Sequence, residues 1–191
     1  MLNHCGTKEI DSERLTIRKF EYSDAEDMLE FWISDPEVQL LYCEPTYTTK
    51  KAVEELLTTY ISSYEKKDYY RWAIIEKESC YCIGQIAYFL VDTENHFGEI
   101  EYAISRKFQN KGYGTEAVQG ILEYGFNKIN FHKVQVCHNE NNPVSRALIK
   151  KCKFSYDGNL RDYFFMDGEY VDRFYYSMLK EEYETLQKDI E

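Results

Sequence analysis

Residues 109–115 constrain the fold of this chain most, because two glycines, Gly112 and Gly114, separate two apolar segments there. The preceding residues 100–104 are typical of a strand, and residues 116–124 carry apolar side chains at helical spacing. A strand therefore leads into a short loop that opens a helix. Glycines allow a tight turn and a close ligand approach, and helix-start amides attract anions. Alone, this pattern fits a phosphate-binding loop and an ordinary strand-turn-helix connection equally well.

The length of the chain predicts a single domain over residues 1–191. The 191 residues are enough for one well-buried core, and no Pro/Gly/Ser-rich linker or internal repeat divides them. No window is apolar for long enough to span a membrane. The first residues show neither a secretion signal nor a myristoylation pattern. We therefore expect a cytoplasmic protein without a membrane partner.

Charge and cysteine usage exclude several other classes. The six cysteines and four histidines show no C-x-x-C or zinc-ligand spacing, so we expect reduced thiols and no metal. The net charge of −11 argues against nucleic acid as a partner. It favours a cationic partner through electrostatic steering, although the acidity also fits a purely solubilising role.

Periodicity predicts strands interrupted by only a few helices. Strands are predicted at residues 15–20, 70–76, 80–91, 97–104 and 133–138, with closing strands at 154–158 and 164–179 around a turn at Asp167 and Gly168. Helices are predicted from Ser23 or Asp24 through Ile33, from Thr48 or Thr49 through Tyr64, from Thr115 to about Lys128, and from Pro143 onward. Residues 35–47 are expected to be irregular, and the polar tail 180–191 is compatible with a short helix. This order predicts an α/β (α+β) protein with a mixed sheet rather than a dinucleotide-binding domain, whose G-x-G-x-x-G is absent.

Several motifs in a fixed order resemble the GCN5-related N-acetyltransferase (GNAT) family. They are Gln109-x-x-Gly112-x-Gly114, Asn139-x-x-Asn142-x-x-Ser145, Lys151-Cys152-Lys153-Phe154, the opening Glu13-Arg14-Leu15-Thr16-Ile17-Arg18 and the closing Asp167-Gly168-Glu169-Tyr170-Val171-Asp172. The resemblance runs from about Arg14 to Leu179 and is strongest to the branch typified by ribosomal-protein N-terminal (alanine/serine) acetyltransferases. It implies a mostly antiparallel sheet of about six or seven strands, with helices on both faces and a splay between strands 4 and 5. One departure is Lys153, where the family usually has a glycine, and this puts the local turn in doubt.

The resemblance implies acetyl-coenzyme A as co-substrate, without a metal. The cofactor-binding residues that it implies are Tyr102, Ala103, Ile104, Gln109, Asn110, Lys111, Gly112, Tyr113, Gly114, Thr115, Asn142 and Ser145. Amides of the glycine loop would bind pyrophosphate. The backbone of the strand at 102–104 would pair with the pantetheine arm.

Two catalytic residues are predicted, each with a structural alternative. Glu101 is the candidate base for the amine, although Glu99 shares its strand parity and both could be solvated surface residues. Ser145 is the candidate proton donor to the leaving thiol, and it could equally cap its helix. His138 and Cys137 are expected to be a buried strand-end pair rather than catalytic groups.

The predicted acceptor is a primary amine, and we favour a protein or peptide N-terminus. The alternatives are a small amine, such as a polyamine, amino sugar or antibiotic, and a non-catalytic sensor of acetyl-coenzyme A. Trp32, Tyr42 and Tyr47 fall where the family usually shapes the acceptor site, although core packing is the commoner explanation for such residues. Both a monomer and a homodimer remain open.

Overall fold

The alternating and apolar segments form one eight-stranded sheet in the computed structural model, which describes residues 1–166 and 168–188. The strands are β1 (Ile10–Asp11), β2 (Leu15–Arg18), β3 (Tyr70–Glu76), β4 (Cys82–Asp92), β5 (Phe97–Ile104), β6 (Lys133–Asn139), β7 (Ser155–Met166) and β8 (Glu169–Leu179). Their order is β1-β2-β3-β4-β5-β6-β8-β7, and all neighbours are antiparallel except β5 and β6. The mixed, mostly antiparallel sheet is therefore confirmed.

The sheet has eight strands instead of six or seven because the short strand β1 escapes the periodicity. The two residues of β1 are too few to show alternation. The hairpin strand β7 runs without a break through the residues between the two predicted closing strands. The turn predicted at Asp167 and Gly168 includes Asp167, which lies outside the described residues.

Helices cover both faces of the sheet, as predicted. They are α1 (Ala25–Phe31), α2 (Pro36–Tyr42), α3 (Lys50–Ser63), α4 (Tyr113–Glu123), α5 (Pro143–Lys151) and α6 (Lys180–Lys188), with a π-helical turn at Tyr124–Ile129. Side chains of α1, α2 and α3 form one core cluster against the sheet. Those of α4, α5 and the π-helical turn form a second cluster on the opposite face. None of the helices in residues 1–166 and 168–188 has the length and apolarity that crossing a membrane requires.

The prediction that residues 35–47 are irregular is wrong, because helix α2 occupies residues 36–42. Pro36 is its first residue, where a missing amide hydrogen costs nothing. The Asp35 side chain accepts a hydrogen bond of 3.0 Å from the Glu37 amide and caps the helix. A proline at the start of this segment therefore marks a helix start rather than a loop.

The parallel pair β5 and β6 separates after four residues. Pairing runs from Phe97 opposite Lys133 to Ile100 opposite Val136 and then stops, while β5 continues to Ile104. Antiparallel pairing with β4 persists along the other edge of β5 to Ile104. Because β1 was not predicted, β5 and β6 are the fourth and fifth of the predicted strands, and the predicted splay between these two is confirmed. It leaves one backbone edge at the end of β5 without a strand partner.

Lys153 adopts the turn that a glycine would make after α5. Its φ is +66°, and its amide donates to the Lys150 carbonyl at 3.0 Å. The Phe154 amide donates to the Ile149 carbonyl at 3.3 Å, which completes a Schellman ending. The substitution therefore preserves the turn and places a side chain in a left-handed conformation that disfavours one.

We predict that Lys153→Gly stabilises the protein by about 1 kcal/mol, because glycine removes the left-handed strain. Urea unfolding monitored by circular dichroism measures the change. Lys150→Gly, at an exposed position inside α5, is the matched control and should destabilise by about 0.5–1 kcal/mol. Destabilisation by Lys153→Gly would contradict the prediction.

Candidate functional site

A cleft of about 510 Å³ lies between the free end of β5, the glycine loop and the start of α5. This volume is within the range of small-molecule sites. Its lining residues are Val38, Leu41, Tyr42, Tyr102, Ala103, Ile104, Gln109, Asn110, Gly112, Gly114, Thr115, Asn142, Pro143, Val144, Ser145, Ala147, Leu148 and Lys151. Ten of the twelve predicted cofactor-binding residues therefore line one cleft, and Lys111 and Tyr113 do not.

The two glycines of the loop serve different structural needs. Gly112 precedes α4 with a φ of +88°, a conformation that favours glycine. A Cβ on Gly114 would lie 2.5 Å from the Leu148 Cδ1 atom, so this glycine lets α4 approach α5 closely. Gly112 has no side chain to cap the helix, and the first amides of α4 lack intrahelical partners. They form a concentration of hydrogen-bond donors beside the cleft.

Arg14 and Glu116 hold the loop in place from outside the cleft. The Arg14 Nη1 atom donates to the Lys111 carbonyl at 2.8 Å, and its Nε atom donates to Glu116 Oε2 at 2.8 Å. Glu116 Oε1 also accepts from the Arg14 amide at 2.7 Å and from the Ser12 hydroxyl at 2.8 Å. Sequence reasoning gave Arg14 no role at the loop, because this contact spans about one hundred residues of chain.

Gln109 and Tyr113 also brace the loop. The Gln109 Nε2 atom donates to the Ile104 carbonyl at 2.9 Å, so this carbonyl on β5 is already engaged. Tyr113 is buried, stacks under the Arg14 guanidinium at 4.7 Å and donates its hydroxyl to Glu76 Oε1. The side chain of Tyr113 is therefore a loop anchor that faces away from the cleft.

The start of α5 brings Asn142, Ser145 and Tyr102 together. Asn142 caps the helix by accepting a hydrogen bond of 2.9 Å from the Ser145 amide. The Ser145 hydroxyl lies 2.7 Å from the Tyr102 hydroxyl, which reaches it from β5. Burial raises the pKa of Tyr102, and the hydrogen bond with Ser145 offsets part of this effect. The phenol is therefore protonated at neutral pH.

Glu101 lies on the opposite face of β5 from Tyr102 and is not among the cleft-lining residues. Its carboxylate is ion-paired with Arg71 of β3. The Arg71 Nη1 atom donates to Gln85 Oε1 at 2.6 Å and to the Tyr42 hydroxyl at 3.4 Å. Tyr42 itself lines the cleft, so it connects the cleft to the Glu101–Arg71 pair. Arg71 was missed, although an arginine inside the apolar strand 70–75 is an unusual residue that could have been noticed.

A second arginine–glutamate pair lies on the same sheet face. Arg173 of β8 is ion-paired with buried Glu99, which also accepts from the Gln135 Nε2 atom at 2.7 Å. The Arg173 Nε atom contacts the Cys137 Sγ atom at 3.0 Å. Burial raises the pKa of Cys137 to about 11, so the thiol is protonated and unreactive at neutral pH.

The neighbouring His138 is buried, whereas Cys137 is only half-buried, so the predicted buried pair is confirmed for His138 alone. Its Nδ1 atom lies 2.7 Å from the Asn139 carbonyl, and burial lowers its pKa. His138 is therefore neutral at pH 7. Within residues 1–166 and 168–188, no group of three or more His, Cys, Asp or Glu side chains is arranged to hold a metal.

We predict that Tyr113→Phe destabilises the protein by about 2 kcal/mol at pH 7, because a buried hydrogen bond to a charged group is lost. Hydrogen bonds from Ser79 and Tyr113 lower the pKa of Glu76. Their stabilisation is present above the unfolded-state pKa of Glu76 and is lost as the pH falls through its lower folded-state pKa. The effect of Tyr113→Phe should therefore shrink in acid, which urea unfolding at several pH values measures. Tyr156→Phe, at an exposed tyrosine, is the control, and an equal loss at all pH values would contradict the prediction.

Comparisons with known proteins identify the family. Residues 14–155 match the acetyltransferase (GNAT) domain. The uncharacterized N-acetyltransferase p20 of Bacillus licheniformis is 33% identical over 90% of this chain and 96% of its own. A Bacillus subtilis protein provisionally named ribosomal N-acetyltransferase YdaF is 28% identical over 91% of this chain and 95% of its own. The crystal structure of spermidine N-acetyltransferase from Vibrio cholerae, in complex with CoA and spermine, shares the fold, with a TM-score of 0.77, 23% identity and coverage of 90% and 99%. The chain is an acyltransferase and belongs to the GNAT family.

Proposed function

We propose that this protein transfers an acetyl group from acetyl-coenzyme A directly to a primary amine, and that the amine is a protein or peptide N-terminus. The observation that carries this proposal is the cleft itself. It joins the free amides at the start of α4 to the unpaired end of β5, where the sheet opens between β5 and β6.

Two features of the cleft support coenzyme A as its ligand. The amides that follow Gly112, together with the helix dipole of α4, would hold the pyrophosphate. The unpaired edge at Tyr102 and Ala103 would pair with the pantetheine amides as an added strand does. The Ile104 carbonyl already accepts a hydrogen bond from Gln109. It would therefore be less available than the backbone of Tyr102 and Ala103 to pair with pantetheine.

When bound, acetyl-coenzyme A supplies a thioester that a neutral amine attacks. Most amines are protonated at neutral pH, so a proton must be removed first. We assign this proton transfer to Glu101, directly or through a water molecule. Its carboxylate is ion-paired with Arg71, and the same guanidinium contacts the hydroxyl of Tyr42, which lines the cleft. Ser145, at the wall of the cleft, would donate a hydrogen bond to the departing sulfur.

The two arginine–glutamate pairs favour a peptide over a polyamine as the acceptor. Glu101 is neutralised by Arg71, and Glu99 is neutralised by Arg173. A polycation would gain most from unpaired carboxylates, whereas a peptide offers one ammonium group and carbonyl oxygens that guanidinium groups can bind. The similarity to the ribosomal N-acetyltransferase of Bacillus subtilis supports the same class of acceptor.

A polyamine is the second candidate because of one specific residue. Glu44 is exposed just after α2, and no ion pair engages it in the described residues. Partial desolvation by the protein, followed by repulsion from Glu101, raises the pKa of Glu44, while attraction to Arg71 opposes this, so Glu44 lies near the proposed base. An unpaired carboxylate at this place suits a second ammonium group, and the Vibrio cholerae neighbour is a spermidine acetyltransferase.

Thiol release from acetyl-coenzyme A across a panel of acceptors tests the proposal. The panel contains peptides with different free N-termini, the same peptides with blocked N-termini, spermidine, spermine and amino sugars. We expect the largest kcat/KM with free peptide N-termini and none with the blocked controls. Preference for spermidine would support the second candidate. Tight coenzyme binding without turnover on any acceptor would indicate a non-catalytic sensor and contradict the proposal.

We predict that Glu101→Gln lowers kcat/KM by about 10²–10⁴-fold, because the amide cannot take a proton. Coenzyme A affinity, measured by calorimetry, should not change. The deficit should shrink as the pH approaches the pKa of the acceptor amine, because the free base then forms without help. Glu78→Gln, in the exposed β3–β4 turn, is the control. Rates equal to those of the unchanged protein at every pH would show that Glu101 is not the base.

A further inference from the structure

A pair of hydroxyl groups joins the two walls of the cleft. The Tyr102 hydroxyl comes from β5 and the Ser145 hydroxyl from the first turn of α5, and their oxygens are 2.7 Å apart. Both residues line the cleft. Within residues 1–166 and 168–188, the Ser145 Oγ atom has no other hydrogen-bond partner. The capping contact with Asn142 is made by the Ser145 amide and does not use the hydroxyl.

The chemistry of the two hydroxyls sets the direction of this hydrogen bond. A phenol is a far stronger acid than an aliphatic alcohol, and it is therefore the better donor, whereas the serine oxygen is the better acceptor. When the phenol donates, the hydrogen of Ser145 is free to be donated elsewhere. A hydroxyl that accepts one hydrogen bond also becomes a stronger donor of the next, because the bonds polarise one another.

We propose that Tyr102 is a positioning residue, whose hydroxyl donates to Ser145 Oγ and directs the serine hydrogen to the sulfur of coenzyme A. This inference rests on the proposed function and adds a residue to it. Tyr102 was predicted to act only through its backbone, and nothing in its sequence position assigns its side chain a role. The geometry does so, because the strand places the phenol where α5 begins.

The proposed acetyl transfer is balanced in protons and electrons. The amine nitrogen forms a bond to the carbonyl carbon, and the C–S bond breaks with its electron pair leaving on sulfur. The sulfur takes the Ser145 proton, and Tyr102 passes its own proton to Ser145 Oγ. The proton that the amine loses returns through solvent to the phenol. The net change is one proton moved from the amine to the thiol, and both hydroxyls are restored.

Burial keeps Tyr102 and the two cysteines near it from titrating between about pH 7 and about pH 9.5, the range in which a free thiol titrates. Burial raises the pKa of Tyr102, which keeps the phenol a donor. Burial also raises the pKa of Cys137 to about 11 and that of Cys152 to about 12. Lys151 also lines the cleft. The thiol of bound coenzyme A is therefore the group that titrates first in this region.

Calorimetric binding of coenzyme A and of desulfo-coenzyme A, which lacks the thiol, tests the proposal. The two affinities are measured between about pH 7 and about pH 9.5, on either side of the ordinary pKa of an alkyl thiol. A directed hydroxyl stabilises the thiolate, so the ratio of the two affinities should rise about tenfold with pH in the unchanged protein. Desulfo-coenzyme A cancels the effects of all other titrating groups.

Tyr102→Phe should abolish this rise while leaving desulfo-coenzyme A affinity unchanged, and it should lower kcat more than it alters KM. Ser145→Ala should do the same, and the double variant should lose nothing further. Tyr176→Phe is the control, since it removes a long contact of 3.4 Å between a buried hydroxyl and His138 outside the cleft.

Three results would overturn the inference. A pH-dependent ratio that survives Tyr102→Phe would show that the phenol does not direct Ser145. A ratio that is flat in the unchanged protein would show that neither hydroxyl reaches the sulfur, without affecting the proposed function. Failure of the unchanged protein to bind either coenzyme would overturn the proposed function and this inference together.

Discussion

The cleft depends on one interruption of backbone pairing, between β5 and β6. Strands β5 and β6 pair for four residues, to Ile100 and Val136, and then diverge. Unpaired backbone groups inside a protein are costly unless they find other partners. Here one is taken by a side chain, since Gln109 binds the Ile104 carbonyl, and the remainder face an open cleft. In the proposed complex, the pantetheine amides of coenzyme A would supply the missing partners.

Successive side chains of β5 place the two proposed proton-transfer groups on opposite sides of this opening. Tyr102 points toward α5 and joins Ser145, whereas Glu101 points toward the α1–α3 face and joins Arg71. One face thus holds neutral hydroxyls and the other holds ion pairs. The amine must lose a proton and the thiol must gain one, and these needs call for groups of opposite character. A single strand separates them because its successive side chains face in opposite directions.

The sequence predicts local features of this arrangement well and distant contacts poorly. The glycine loop, the start of α5 at Pro143 and the strand before the loop follow from nearby residues. The contact of Arg14 with the loop and that of Arg71 with Glu101 join segments far apart in the chain, and no local pattern encodes them. Tyr113 shows the same limit, since its spacing places it at the loop but only the packed Glu76 decides where its side chain points.

Charge acts over two distances in this protein. Long-range attraction depends on the net charge, whereas contacts at hydrogen-bond range depend on individual side chains. The net charge of −11 acts over a Debye length of about 8–10 Å and draws any cation, so it speeds encounters without selecting among them. Selection requires contacts at hydrogen-bond range, where Glu99 and Glu101 are already neutralised by arginines. Glu44 near Glu101 is engaged by no ion pair in the described residues, so local contacts, and not total charge, distinguish one amine from another. Under the proposed function, the net charge would therefore recruit amines in general, and contacts with the groups attached to the amine would select among them.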